Sequence, residues 1–237
     1  MTPLSQDEIT ERRAVALLSI GRAAEKSGRK AGEIALLAVT KGQPAEVVRR
    51  AARAGCELFG ENRVAEAAEK IQAVRPEFPD LTWKLIGPLQ TNKAALALQC
   101  FAMVESVDRQ RLAERLERLL EASPRLLPVL LEVNLAGEST KSGASPEDAP
   151  ALVQAIDACP HLLCRGLMAV PPFDPDPERT RPWFRQLRQL RDRIAGGRGR
   201  DLPEISAGMS HDFAVAVEEG ATEVRLGTAL FGPREAA

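Results

Sequence analysis

Ile34-Ala35-Leu36-Leu37-Ala38-Val39-Thr40 is an apolar run that ends on Lys41 and a Gly42-Gln43-Pro44 turn. A continuous run of this length, rather than an alternating one, marks a strand buried on both faces, as in a parallel sheet. Outward from it the spacing predicts a helix over about residues 45–54, with Val47, Val48 and Ala51 on one face and Gly55 as its stop. The same beat then recurs. Residues 57–60 predict a second strand and 64–74 a helix; 83–87 predict a third strand and 94–100 a helix. Strands follow over 103–107, 127–135, 162–170, 204–207 and 223–226. Strand–helix alternation implies a parallel sheet, and about eight units imply closure. The expected fold is α/β, a single-domain (β/α)8 TIM-type barrel over residues 1–237, with an N-terminal helix over about 5–27. Ser5 and Glu8 form the capping-box pattern that starts this helix. A doubly wound open sheet has the same periodicity and stays open as an alternative. The Pro-rich stretch 171–177 follows a strand end and reads as a βα loop.

The chain has 237 residues, close to the roughly 250 of a barrel of this kind. Its 44% hydrophobic and 27% charged residues are ordinary for a globular protein and argue against disorder. A net charge of −1 argues against a general nucleic-acid binder. The basic run Arg185, Arg188, Arg191, Arg193, Arg198 and Arg200 reads as a solvated outer helix, because Phe184, Leu187 and Leu190 occupy another face. Cys56, Cys100, Cys159 and Cys164 lack any CxxC spacing, so free thiols in a reducing compartment are expected, with no metal site. No apolar run reaches the roughly 20 residues of a membrane span. A cytoplasmic protein without membrane attachment is expected.

Barrels of this type carry their chemistry at the C-terminal ends of the strands. Lys41 ends the first strand. Burial there disfavours its charge, and a neutral amine is the nucleophile that forms a Schiff base; a solvated lysine beyond a strand is the alternative. Asn62 follows the second strand as a rim residue or a plain helix cap. The loop 87–93 follows the third strand, and Asn134 with the loop 139–143 follows the fifth. Gly208-Met209-Ser210 precedes a helix expected near His211, and Gly227-Thr228 ends the eighth strand. Glycines admit a phosphate to the backbone and helix starts supply N–H donors, often at these two loops. Ser210 as a helix cap and Gly227 as a turn are the alternatives. Arg225 lies between Val224 and Leu226 and needs an acceptor if buried.

The phrases LLAVTKGQP, LFGENRVAEAAEKI, KLIGPLQTNK, GESTKSG, RGLMAV and GMSHDFAVAVEEGATEVRLGTALFG, with Arg234, occur in this order. As a colinear set they resemble the pyridoxal-phosphate homeostasis proteins over nearly all of residues 34–234. The resemblance implies a fold-type III barrel, similar to the barrel domain of alanine racemase and eukaryotic ornithine decarboxylase. It implies that Lys41 carries pyridoxal 5′-phosphate as a Schiff base, with Asn62 in the same site. Ser210, Gly227 and Thr228 would hold the phosphate, and Arg225 would face the pyridine nitrogen. The implied role is to bind, buffer and deliver this vitamin B6 cofactor, with cofactor-dependent apoenzymes as acceptors and without strong catalysis. A monomer is expected. The alternatives are an amino-acid racemase or related fold-type III enzyme, and a barrel for some phosphorylated substrate. Racemisation needs a second proton-transfer group, a tyrosine in the barrel racemases, and the sequence has Tyr 0. The sequence departs from the family at Lys84, where histidine is usual, and at Glu235-Ala236-Ala237, where a tyrosine often stands.

Overall fold

Parallel pairing closes the alternation into a ring, and the computed structural model describes residues 4–123, 125–138 and 140–233. Among these, the strands are β1 (Ala35–Val39), β2 (Leu58–Glu61), β3 (Thr82–Leu85), β4 (Met103–Val107), β5 (Leu127–Glu132), β6 (Leu162–Met168), β7 (Glu204–Met209) and β8 (Glu223–Leu226). They form a closed barrel in sequence order. β8 returns to β1 in parallel, Ala35 opposite Glu223 and Leu37 opposite Arg225. The open-sheet alternative is thereby excluded, and no strand edge is left unpaired.

The helices are α1 (Gln6–Lys26), α2 (Ala45–Arg53), α3 (Val64–Val74), α4 (Ala94–Cys100), α5 (Gln110–Leu120), α6 (Ala149–Asp157), α7 (Arg181–Arg198), α8 (Phe213–Glu218) and α9 (Thr228–Phe231). The capping box of α1 forms as expected. Ser5 Oγ accepts from the Glu8 amide at 3.2 Å, and the Ser5 amide donates to Glu8 Oε2 at 2.7 Å. Such a cap contributes about 1 kcal/mol. Ile9, Ala16, Ile20, Ala23 and Ala24 form the buried stripe of α1, which packs on α8 and α9.

The apolar strand runs divide by the pleat. Val129 and Leu131 belong to the large core shared by strands and helices, as do Phe59, Leu85, Val104 and Val224. Leu130, on the opposite face, joins Met103 and Met168 in a separate cluster inside the barrel. The interior also holds a charged network. Lys84 Nζ lies 2.5 Å from Glu223 Oε2 and 3.2 Å from Glu105 Oε1. Ser206 Oγ donates to Glu223 Oε1 at 3.1 Å and accepts from Arg225 Nη1 at 2.8 Å. Burial opposes the Lys84 charge, yet Glu105 and Glu223 hold its ammonium above the ordinary lysine range. Burial, with the charge of Glu105 added, pushes Glu223 up to about 8. Burial would also raise Glu105, but Lys84 foremost holds it below the ordinary glutamate range. Lys84 thus joins a buried network of two carboxyls, in which Glu105 is favoured as the anion and Glu223 is pushed toward its neutral form.

Arg185, Arg193 and Arg200 of the basic run are exposed, and other arginines of α7 also meet acidic side chains of neighbouring elements. Arg181, Arg185 and Arg188 converge on Glu219 beyond α8, at 3.2, 2.9 and 3.5 Å. Arg198 pairs with Asp157 of α6, and Arg191 donates to the Leu202 carbonyl at 2.9 Å. Periodicity along one helix cannot register acidic partners from its neighbours. All four cysteines are free. Among the described residues there is no cluster of three metal-ligating side chains, and no helix is long and apolar enough to cross a membrane.

Candidate cofactor site

Lys41 stands two residues beyond β1, in a turn held from below by side chains of the next βα unit. Lys70 of α3, only 5% exposed, donates to the Thr40 carbonyl at 2.7 Å and to Glu61 Oε1 at 2.5 Å. Thr40 Oγ1 donates to the same Glu61 oxygen at 2.7 Å. On the other side of Lys41, the Gly42 amide donates to Glu66 Oε1 at 2.6 Å, which Lys70 also reaches at 3.2 Å. Burial raises the Glu61 carboxyl despite the opposing Lys70 and Thr40. The backbone on both sides of Lys41 is therefore fixed. Glu61, Glu66 and Lys70 were not identified from sequence; the signal was a lysine interrupting the buried stripe Ala67, Ile71 and Val74 of α3.

A cavity of about 450 Å³ opens at the C-terminal ends of the strands. Lys41, Asn62, Ser210, Arg225, Gly227 and Thr228, predicted from widely separated loops, all line it. Its size falls in the usual range for small-molecule sites. A larger groove of about 810 Å³ runs between α6 and α7, but its Asp157 and Arg198 are spent on each other and the strand ends lie elsewhere. Chemistry rather than volume selects the barrel mouth.

Ser210 does not cap α8. That helix starts at Phe213, after Asp212, whose carboxylate accepts the Met209 amide at 2.7 Å. Gly208, at φ +91°, makes the sharp exit from β7, and a Cβ there would lie 2.6 Å from that of Ala216. The turn instead delivers Ser210 Oγ to the Ala229 amide at 3.0 Å, tying the β7 loop to the first turn of α9. The two loops expected to hold an anion are thus joined. Thr228 opens α9 beside them.

Arg225 points inward and is 4% exposed. Its guanidinium donates to the Ser206 carbonyl at 2.7 Å, to Ser206 Oγ, and to the Ala169 carbonyl at 2.8 Å. These bonds supply the acceptors that a buried arginine needs and fix its charge at the cavity. Asn62 Oδ1 is buried without a hydrogen-bond partner among the described residues.

Glu132, the last residue of β5, also lines the cavity and was missed. Its Oε2 is likewise buried without a partner. Burial pushes this carboxyl up to about 7; Asp108 adds to the rise and Arg225 opposes it. The logic that selected Lys41, a polar residue ending an apolar run, would have selected Glu132. Lys141 lines the cavity too and pairs with Glu138 at 2.6 Å. Asn134 organises that loop by donating to the Glu138 carbonyl at 2.9 Å. Lys93 is exposed and is not among the residues lining the cavity. His211 lines the cavity with Nε2 3.0 Å from the Pro175 carbonyl. Ser139, Arg234 and Glu235-Ala236-Ala237 lie outside the described residues.

An amine, two hydroxyls at a helix start, a fixed guanidinium and unsatisfied buried oxygens suit a ligand with an aldehyde, a phosphate and a ring nitrogen. The comparisons agree with that chemistry. Residues 20–235 match the family model described as alanine racemase, N-terminal domain. The pyridoxal phosphate homeostasis protein of Pseudomonas aeruginosa is 44% identical over 229 residues, covering 96% of each chain. That of Aquifex aeolicus is 41% identical over 225 residues, covering 95% of this chain and 98% of its own. Among solved structures, PipY of Synechococcus elongatus with PLP bound has a TM-score of 0.83 at 37% identity, covering 94% of this chain and 100% of PipY. Alanine racemase from Corynebacterium glutamicum has a TM-score of 0.72 at 18% identity, with 99% and 64% covered, and shares the barrel fold. By these matches along most of its length, the chain belongs to the pyridoxal phosphate homeostasis protein family, built on the alanine racemase N-terminal domain.

Proposed function

We propose that this protein binds pyridoxal 5′-phosphate at the barrel mouth through Lys41 and holds, buffers and delivers it. The observation that carries this reading is the convergence of Lys41, Asn62, Ser210, Arg225, Gly227 and Thr228 on one cavity. When bound, the cofactor supplies an aldehyde that combines reversibly with a primary amine, and a ring that can withdraw electrons. Lys41 is the amine, presented by a turn fixed through Thr40 and Gly42. Ser210, Thr228 and the backbone at Gly227 hold the phosphate, using hydroxyls and the N–H groups of a helix start. Arg225 donates to the ring nitrogen and, being effectively never deprotonated, keeps that nitrogen an acceptor. A ring held so is a weak electron sink, which favours storage over turnover. The 237 residues also contain no tyrosine to serve as the opposite-face acid of a racemase. The acceptors are apoenzymes that need the same cofactor, and the protein acts as a cytoplasmic monomer.

Borohydride reduction of the loaded protein, followed by peptide mass spectrometry, tests this. The adduct should map to Lys41, and Lys41→Ala should lose the absorption band near 420 nm while remaining folded. A dominant adduct on Lys93 or Lys141 overturns the assignment. Exchange of the alanine α-proton in deuterated water at about 1 s⁻¹ or faster, within the usual enzyme range, overturns the carrier reading in favour of a racemase.

A further inference from the structure

Glu132 occupies an unusual place in a cavity suited to an anion. Of the groups lining that cavity, Lys41, Lys141 and Arg225 are cationic, and Glu132 is a carboxyl. Its Oε2 is buried and has no hydrogen-bond partner among the described residues. Arg225, whose charge acts on it, directs its bonds to Ser206 and Ala169, and no ion pair joins the two. A buried carboxyl oxygen without a donor is costly when ionised. As the neutral acid it becomes a donor in search of an acceptor.

Glu132 lines the cavity from β5, a strand that carries none of the other proposed contacts. With the phosphate held by Ser210, Gly227 and Thr228, the aldehyde joined to Lys41 and the ring nitrogen facing Arg225, the ring oxygen is the acceptor left for a donor at Glu132. We propose that Glu132 is a further cofactor-binding residue, donating a hydrogen bond as a neutral carboxylic acid to the oxygen on the pyridine ring. This rests on the cofactor reading above and adds a ligand-coupled proton to it.

The charged and titratable groups around Glu132 agree with a neutral acid. Asp108, beyond β4, and the anionic ligand itself both oppose its ionisation; Arg225 on β8 favours it, and Lys41, Lys141 and His211 complete the cavity. Burial and Asp108 outweigh Arg225, and the carboxyl ionises near 7 before any ligand arrives. Binding should then pull a proton onto Glu132 from mildly alkaline solution.

Pyridoxine 5′-phosphate is the suitable probe, because it keeps the phosphate, ring nitrogen and ring oxygen but has an alcohol in place of the aldehyde. No covalent step with Lys41 then confuses the proton count. Calorimetric titration at pH 8 in buffers of different ionisation enthalpy should show wild-type protein taking up most of one proton more than Glu132→Gln. From pH 6.5 to 8.5 the wild-type affinity should fall by about tenfold or more relative to Glu132→Gln, the slope of a group that must be protonated to bind. Glu132→Leu should bind more weakly than wild type at pH 6.5 and share the flat profile of Glu132→Gln. In the infrared, the carbonyl stretch of a protonated carboxylic acid should grow when ligand is added at pH 8, in wild type only. Equal proton uptake and parallel pH profiles in wild type and Glu132→Gln would overturn the proposal while leaving the cofactor site standing. Wild-type affinity that rises with pH relative to Glu132→Gln would make Glu132 an ionised acceptor and overturn it as well. Failure of pyridoxine 5′-phosphate to bind any of the three proteins would overturn the cofactor reading itself.

Discussion

Ser210 accepts the Ala229 amide in the structure and, in the proposed site, also meets a phosphate. Thr228 has no such second bond among those described. Ser210→Ala and Thr228→Val should each weaken pyridoxal 5′-phosphate by roughly one to two decades, since a hydrogen bond to a charged group contributes about 1.5–3 kcal/mol. Pyridoxal without the phosphate should bind both variants as it binds wild type, which a spectroscopic titration would measure. Only Ser210→Ala should also lower the melting temperature, because it leaves the Ala229 amide without its acceptor. Equal losses for phosphorylated and unphosphorylated ligands would place these hydroxyls elsewhere. The separate duties follow from position: Ser210 approaches α9 from a neighbouring loop, while Thr228 belongs to it.

At the scale of elements, β1 presents Lys41 but α3 holds it in place. Lys70, set within the buried stripe of its helix, pairs with Glu61 beneath the turn. Lys70→Met would strand a fully buried carboxyl, and breaking a buried pair on one side costs about 3–5 kcal/mol. At this chain length that predicts a melting temperature lower by roughly 10 °C. Adding Glu61→Gln should recover part of the stability, because the orphaned charge is then gone. Cofactor loading of the double variant should remain weaker than in wild type, since the Thr40 carbonyl keeps no clamp. Thermal melts and absorbance titrations of the single and double variants check both parts. Full recovery of loading would show that Lys70 serves stability alone. The strand ends repay attention as well. The apolar run 127–135 predicted a longer β5 than Leu127–Glu132, because burial continues after pairing thins: Val133 is buried yet makes only an isolated bridge to Ala144.

For the whole molecule, the barrel interior sets a pH dependence that a wholly apolar core would not have. Glu132 ionises at about 7 and Glu223 at about 8, against 4.5 for an unperturbed glutamate. Both folded values are raised, so their contribution to stability is complete below about pH 4.5 and is lost as pH rises through 7 and 8. Glu66, Glu178, Glu218 and Glu219 are lowered, and their contribution disappears only as pH falls through the acid range. Between pH 5 and 9 the raised pair should therefore dominate. Denaturant unfolding should show stability falling across this window, and Glu132→Gln should remove up to about 3 kcal/mol of that fall. A wild-type profile flat from pH 5 to 9 would mean that neither carboxyl is buried as the structure has it.

The local pattern of the chain determined the alternation of strands and helices, the bounds of β4, β8, α3 and α4, the capping box of α1, and the residues at the strand ends. These follow from short-range periodicity, because a buried strand and an amphipathic helix write their faces into consecutive residues. Six of those strand-end residues proved to share one cavity, since closing a parallel barrel brings all its C-terminal ends together. Only the tertiary structure decided that Ser210 reaches α9 rather than capping α8, and that the α7 arginines meet Glu219. Only it placed Lys70 beneath Lys41, and Lys84 between Glu105 and Glu223. Each of these is a pairing between residues distant in sequence or on separate elements. A charge reads as solvent-exposed in a linear pattern; whether it is buried depends on a partner that packing alone supplies.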